Sequence, residues 1–108
     1  MTYTVIIAKP AEEDLRRNAE WWAEHHSIDQ AEHWFENAYK QLGTLKTMPE
    51  RCPLSAENES VPFEIRDFLF GLGNRPSYRA IVTIENSVVY VLRIVRGEQD
   101  TLRPEDLT

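Results

Sequence analysis

The chain contains a single cysteine, Cys52. One thiol cannot close an internal disulfide, so a disulfide-stapled secreted scaffold is excluded and a reducing compartment fits. No apolar run approaches the ~18 residues that span a bilayer. Residues 1–10 carry neither a basic leader nor a long apolar stretch, so neither a membrane protein nor a signal peptide is expected. Basic residues are in deficit, with 12 Lys plus Arg against 18 Asp plus Glu and a net charge of −6. At the level of whole-chain charge that excludes a protein that coats nucleic acid. Gly71 and Gly73 form a G-x-G pair without a third glycine or a following helix, so no phosphate-cradling loop is expected. His25, His26 and His33 stand without a thiol or acid at metal-ligand spacing, and no histidine follows them. No metal and no cofactor are therefore expected. What is present is 108 residues, 42% of them hydrophobic, which suits one cytoplasmic domain over residues 1–108 with a single core.

The opening stretch Tyr3 to Ala8 is β-branched and too short for a helix, which predicts a strand. Pro10 fits the first turn of a helix, and Glu12, Glu13 and Asp14 place negative charge at its positive end. Ala11, Leu15, Ala19, Trp22 and Ala23 share one helical face, so this helix should run to about His26. A second start follows at once, because Ser27 with Gln30, or Asp29 with Glu32, has capping-box spacing. Ala31, Trp34, Phe35, Ala38, Leu42 and Leu45 continue as an apolar stripe until Pro49. So short a link makes the two helices an antiparallel hairpin. Residues 49–62, with three prolines, read as an irregular connection. Strands are predicted over Ile65 to Leu72, Ser77 to Glu85 and Val88 to Val95. The fold class is α+β: an N-terminal strand, a helical hairpin, then a three-stranded antiparallel meander, with the helices on one face of the sheet.

A three-residue loop, Glu85-Asn86-Ser87, would set Ile84 opposite Val88. One face would then collect Tyr78, Ala80, Val82, Ile84, Val88, Tyr90, Leu92 and Ile94 beneath the helices. The other would collect Arg79, Ile81, Thr83, Val89, Val91, Arg93 and Val95. A two-residue loop would shift one strand by a residue and mix Arg79 into the apolar set, so the three-residue register is preferred.

Charge placement suggests a site. Between positions 66 and 96 the basic residues are Arg66, Arg75, Arg79, Arg93 and Arg96, against only Asp67 and Glu85. Arginine's planar fork suits carboxylate or phosphate. The expected partner- or anion-binding set is Arg66, Arg75, Arg79, Ile81, Val91, Arg93 and Arg96, with Arg79 and Arg93 on the face away from the helices. The competing reading is that these arginines pair with the chain's own acids. The apolar residues between them need cover from a partner or from the 49–62 connection. Trp21, at the edge of its helical stripe, is a further contact candidate, although a half-buried core-flanking aromatic is the simpler reading. Cys52 is expected to be an inert thiol. General acid–base chemistry on RNA would need a His, Glu or Tyr beside those cations, and Tyr90 is expected to face the core. No confident catalytic residue results; a nuclease would have to rely on Arg79, Arg93 and Arg96.

In pattern order, nearly the whole chain resembles the RelE/ParE family of toxins from bacterial type II toxin–antitoxin modules. The resemblance rests on the opening strand and Pro10-Ala11-x-x-Asp14-Leu15; on Ala31, Phe35 and Leu45-x-x-x-Pro49; on Arg66 and Pro76-x-Tyr78-Arg79; and on Val91-Leu92-Arg93-Ile94-Val95-Arg96-Gly97-x-x-Asp100. It implies a plasmid-stabilisation type toxin held in a hetero-oligomer by a cognate antitoxin. The last segment is more similar to the ParE-like branch, which poisons DNA gyrase by protein–protein contact. The alternative is the RelE-like branch, which cleaves mRNA on the ribosome; a third option is a non-toxic relative that retains only antitoxin binding and operon regulation. Arg79 falls where RelE-like members contact RNA phosphate. Arg96 falls where many relatives carry a histidine, and Glu98 and Gln99 replace the basic residues that often follow.

Overall fold

The computed structural model describes residues 2–71 and 77–96. In chain order these form β1 (Thr4–Ile7), α1 (Lys9–His25), α2 (Ile28–Gly43), three short 3-10 turns, β2 (Arg66–Phe70), β3 (Tyr78–Glu85) and β4 (Val88–Arg96). The expected α+β architecture is what forms, with most element ends displaced by one or two residues; α2, expected to run until Pro49, instead ends at Gly43 and gives way to a 3-10 turn over Thr44–Lys46. Pro10 sits in the first turn of α1. Of the two capping spacings, Ser27 is the one used: its hydroxyl accepts the Gln30 N–H at 3.1 Å.

The sheet order is β1-β4-β3-β2. β2, β3 and β4 pair antiparallel as a meander, and β1 joins parallel to β4. Ala11 and Leu15 of α1 and Trp34, Ala38 and Leu42 of α2 pack over Tyr78, Ala80, Val82, Val89, Val91 and Ile94 of the sheet. α2 is tied to the end of β2 through Gln41, whose side-chain amide donates to the Gly71 carbonyl at 2.8 Å.

The opposite sheet face is not bare. Ile65, Ile81 and Val95 are buried there under Val61 and Phe63, with Leu92 beside them. The irregular connection therefore folds back over the sheet and supplies the second of the two covers considered from sequence. Backbone bonds from Ser55 N–H to the Ile65 carbonyl and from Asp67 N–H to the Pro53 carbonyl (both 2.9 Å) lace it to β2.

The β3–β4 register departs from expectation. Glu85 pairs with Val88, so the turn is the two-residue Asn86-Ser87, with Asn86 at φ 57°, a conformation asparagine tolerates. β3 keeps the expected parity and β4 is shifted by one: Val89 and Val91 lie under the helices, while Tyr90, paired with Thr83, lies on the other face. Tyr90 thus does not face the main core. Val82 pairs with Val91 but Ile81 with Arg93, leaving Leu92 as the extra residue of a β-bulge that brings Ile94 back beneath the helices. The reason is legible in β4 itself. Its run Val88-Val89-Tyr90-Val91-Leu92 has no polar alternation, so the strand carries no parity signal and either face can be buried.

Candidate functional site

The arginines singled out from sequence are divided between two places. On the face away from the helices, Arg79 is only 8% exposed. It grips both carboxylate oxygens of Glu57, at 2.7 and 2.9 Å, and reaches Asp67 at 3.1 Å. Ser55 donates to the same Glu57 carboxylate at 2.6 Å. Hydrogen bonding from Arg79, more than offsetting burial, holds the Glu57 carboxyl down at about 2. The guanidinium is in turn held more firmly protonated by Glu57. This is a clamp between the 52–60 connection and the sheet.

Arg93 lies elsewhere. Although it pairs with Ile81, its side chain reaches α1, where its Nε donates to one oxygen of Asp14 at 2.8 Å and its terminal nitrogen to the other at 3.0 Å. The Ile94 N–H donates to the same carboxylate at 2.9 Å, and Arg17 completes the set. Asp14 is 2% exposed. β1 ends at Ile7, beside Val91, so among the described residues the outer edge of β4 beyond that point has no strand neighbour. The Asp14 carboxylate takes the place of one, accepting the N–H that a continued β1 would have bound.

By register Arg79, paired with Val95, and Arg93, paired with Ile81, do leave the sheet on the side away from the helices, but the expectation that they stand ready for a visitor is corrected. One is under the 52–60 connection and the other is turned to α1, and both are in intramolecular ion pairs. Ile81 and Val91 are fully buried, in different cores, because the connection covers the first and the β4 shift buries the second, so neither lies on an accessible patch. Arg66 braces the connection, donating to the carbonyls of Cys52 at 2.7 Å and Glu50 at 3.2 Å. Arg75 lies outside the described residues, as do Gly97 to Asp100. Cys52 is buried, which pushes its thiol pKa up and keeps it unreactive. Among the described residues no three His, Cys, Asp or Glu side chains are grouped as a metal site would require.

Among the described members of the set, Arg96 is the exposed one. Its guanidinium carbon lies 4.6 Å from the centroid of the Trp21 ring, a cation–π stack. His25 also stacks on Trp21, with ring centroids 4.4 Å apart. On one side of this stack a cleft of about 370 Å³ runs between α1 and β4, lined by Asp14, Arg17, Asn18, Trp21, Arg93 and Arg96 with Ile94 and Val95. On the other a pocket of about 220 Å³ is lined by Trp21, Trp22, Trp34, Ser77, Tyr78 and Arg96.

Sequence reasoning named Arg96 and Trp21 here but missed Asp14 as a hub, and Arg17 altogether. A signal existed for Asp14: it sits three residues after Ala11 and one before Leu15, on the inward face of an amphipathic helix. Glu57 left none, since an irregular connection has no period.

A family model described as the ParE toxin of the type II toxin–antitoxin system, parDE, matches residues 5–101. Among solved structures, one described as the chromosomal ParDE TA system from P. aeruginosa superposes with a TM-score of 0.71 at 18% identity, covering 90% of this chain and 98% of that one. At that identity the likeness shows the fold. No curated protein matches the chain.

Proposed function

Because the chain belongs to the ParE toxin family of type II toxin–antitoxin systems, we propose that it is the growth-inhibiting toxin of such a module, silenced by direct binding of a cognate antitoxin and acting in the cytoplasm on DNA gyrase by protein–protein contact. The observation that carries this reading is the family match over residues 5–101. The site chemistry supports a contact mechanism over a catalytic one. A nuclease needs cations aimed at a phosphate and a base near the attacking hydroxyl. Here the guanidinium groups of Arg79 and Arg93 are spent on Glu57, Asp67 and Asp14. Arg96 is set over the Trp21 ring. With a net charge of −6, the chain is also poorly suited to the counterion release that drives binding to ribosomal RNA.

The test is a supercoiling assay with purified gyrase, alongside transcript mapping after induction. Inhibited supercoiling with intact transcripts is the expected result. Cut mRNA with gyrase unaffected would replace the reading with a ribosome-dependent nuclease. Normal growth and unaffected gyrase would leave a non-toxic relative that binds its antitoxin only.

A further inference from the structure

We propose that the two clefts flanking the Arg96–Trp21 stack form a single docking site for an acidic segment of a protein partner, which lays carboxylates against Arg17 and Arg96 and inserts a large apolar side chain among the tryptophans. This deepens the contact reading above by naming the chemistry of what is contacted.

Charge complementarity chooses the occupant. Among the described residues the cleft between α1 and β4 is lined by three arginines, Arg17, Arg93 and Arg96, and one acid, Asp14, on a protein of net −6. Asp14 is already engaged by Arg93, Arg17 and the Ile94 N–H, so its lone pairs do not compete for an incoming group. The Arg17 side chain is 64% exposed. Arg96 is exposed, and its guanidinium, set over the Trp21 ring, is the second cation a carboxylate can reach there.

The adjoining pocket asks for something different. Trp22 donates its indole N–H to the Tyr78 hydroxyl at 3.1 Å, so that donor is already satisfied and mainly ring faces are offered. At about 220 Å³ it is smaller than the ~300–1,000 Å³ of typical small-molecule sites and suits one side chain. Trp21 and Arg96 line both spaces, so an acid and an apolar residue close together on one segment would engage them at once. Aromatic and arginine side chains of this kind are the residues that dominate interface energies. A nucleic acid, charged at every nucleotide, would meet the net −6 of the chain over a longer reach than a short acidic segment does.

All three tryptophans of the chain line these clefts, so their emission reports on the site. The probe is the peptide acetyl-Gly-Glu-Asp-Leu-Phe-Glu-Gly-amide, titrated into the full chain and followed by tryptophan emission and calorimetry. Saturable micromolar binding is expected. It should weaken about tenfold when the peptide acids become amides, when Leu-Phe becomes Ala-Ala, and in Arg17→Gln and Arg96→Gln, which alter exposed side chains and leave the fold intact. No saturable signal, equal binding of the amide peptide, or indifference to both substitutions would overturn the proposal. So would tighter binding of a single-stranded RNA oligonucleotide. Self-association that Arg96→Gln abolishes would assign the site to a second copy instead. Saturation seen only after Glu98, Asp100, Glu105 and Asp106 are replaced by amides would assign it to the chain's own segment. Neither gyrase nor growth enters this readout, so its failure is separate from failure of the toxin reading.

Discussion

Arg79 and Arg96 sit at opposite ends of their treatment by the fold, although β3 and β4 pair them within two positions of each other. Arg79 faces the side of the sheet that the 52–60 connection covers, and two carboxylates and a hydroxyl close around it. Arg96 ends β4 beyond the reach of β1, where no segment among the described residues covers it and only Trp21 supports it. The same side chain is cement in one place and contact surface in the other. What separates them is whether an acid was brought within reach. For Arg79 the acid arrives from a connection more than twenty residues away in sequence. For Arg93 it arrives from α1, nearly eighty residues away. A count of arginines cannot see either encounter.

That contrast can be broken experimentally. The largest effect is expected at Asp14, whose removal strands the Arg93 guanidinium and the Ile94 N–H of β4: Asp14→Ala should cost about 4 kcal/mol, read as a lower urea midpoint with an unchanged slope. Next is the clamp. Glu57→Gln leaves the Arg79 charge without its main partner and should cost about 3 kcal/mol by the same measurement. Both values should exceed by several-fold any loss in Arg96→Gln.

Acid sharpens the comparison from another direction. The folded-state pKa of Glu57 is depressed to about 2, so its contribution is fully present above the ordinary carboxylate value and is lost as pH falls from near 4.5 through about 2. A displacement of this size corresponds to about 3 kcal/mol. Wild-type protein should therefore lose stability over that window more steeply than Glu57→Gln, as measured by urea titrations at a series of pH values. Parallel curves for the two proteins would show that the clamp does not carry the charge interaction its geometry indicates. The smallest expected effect is on the exposed side: Arg17→Gln and Arg96→Gln should each change stability by less than about 0.5 kcal/mol, because exposed charges contribute little to folding. If either were as costly as Glu57→Gln, the open cleft would be structural and the division drawn here would collapse.

The elements of the fold were readable from the chain because each was announced by a local signal. Pro10 and the acids after it marked α1, Ser27 with Gln30 marked α2, and β-branched runs bounded by glycine or asparagine marked the strands. The β4 register was not readable, since a strand apolar on both faces buries equally well either way round until a bulge is allowed. Nor was the fate of the arginines, which depended on Glu57 and Asp14 arriving from distant elements.

Local propensity and periodicity act over a few residues, so the order and type of elements, the helical hairpin and the identity of the helix-facing residues of α1, α2 and β3 were decided by the sequence alone. Which guanidinium groups are consumed and which remain exposed was decided only when α1 packed against β4 and the 52–60 connection closed over β3. Ion pairing is a matter of distance in space, and that distance does not exist until the chain has folded.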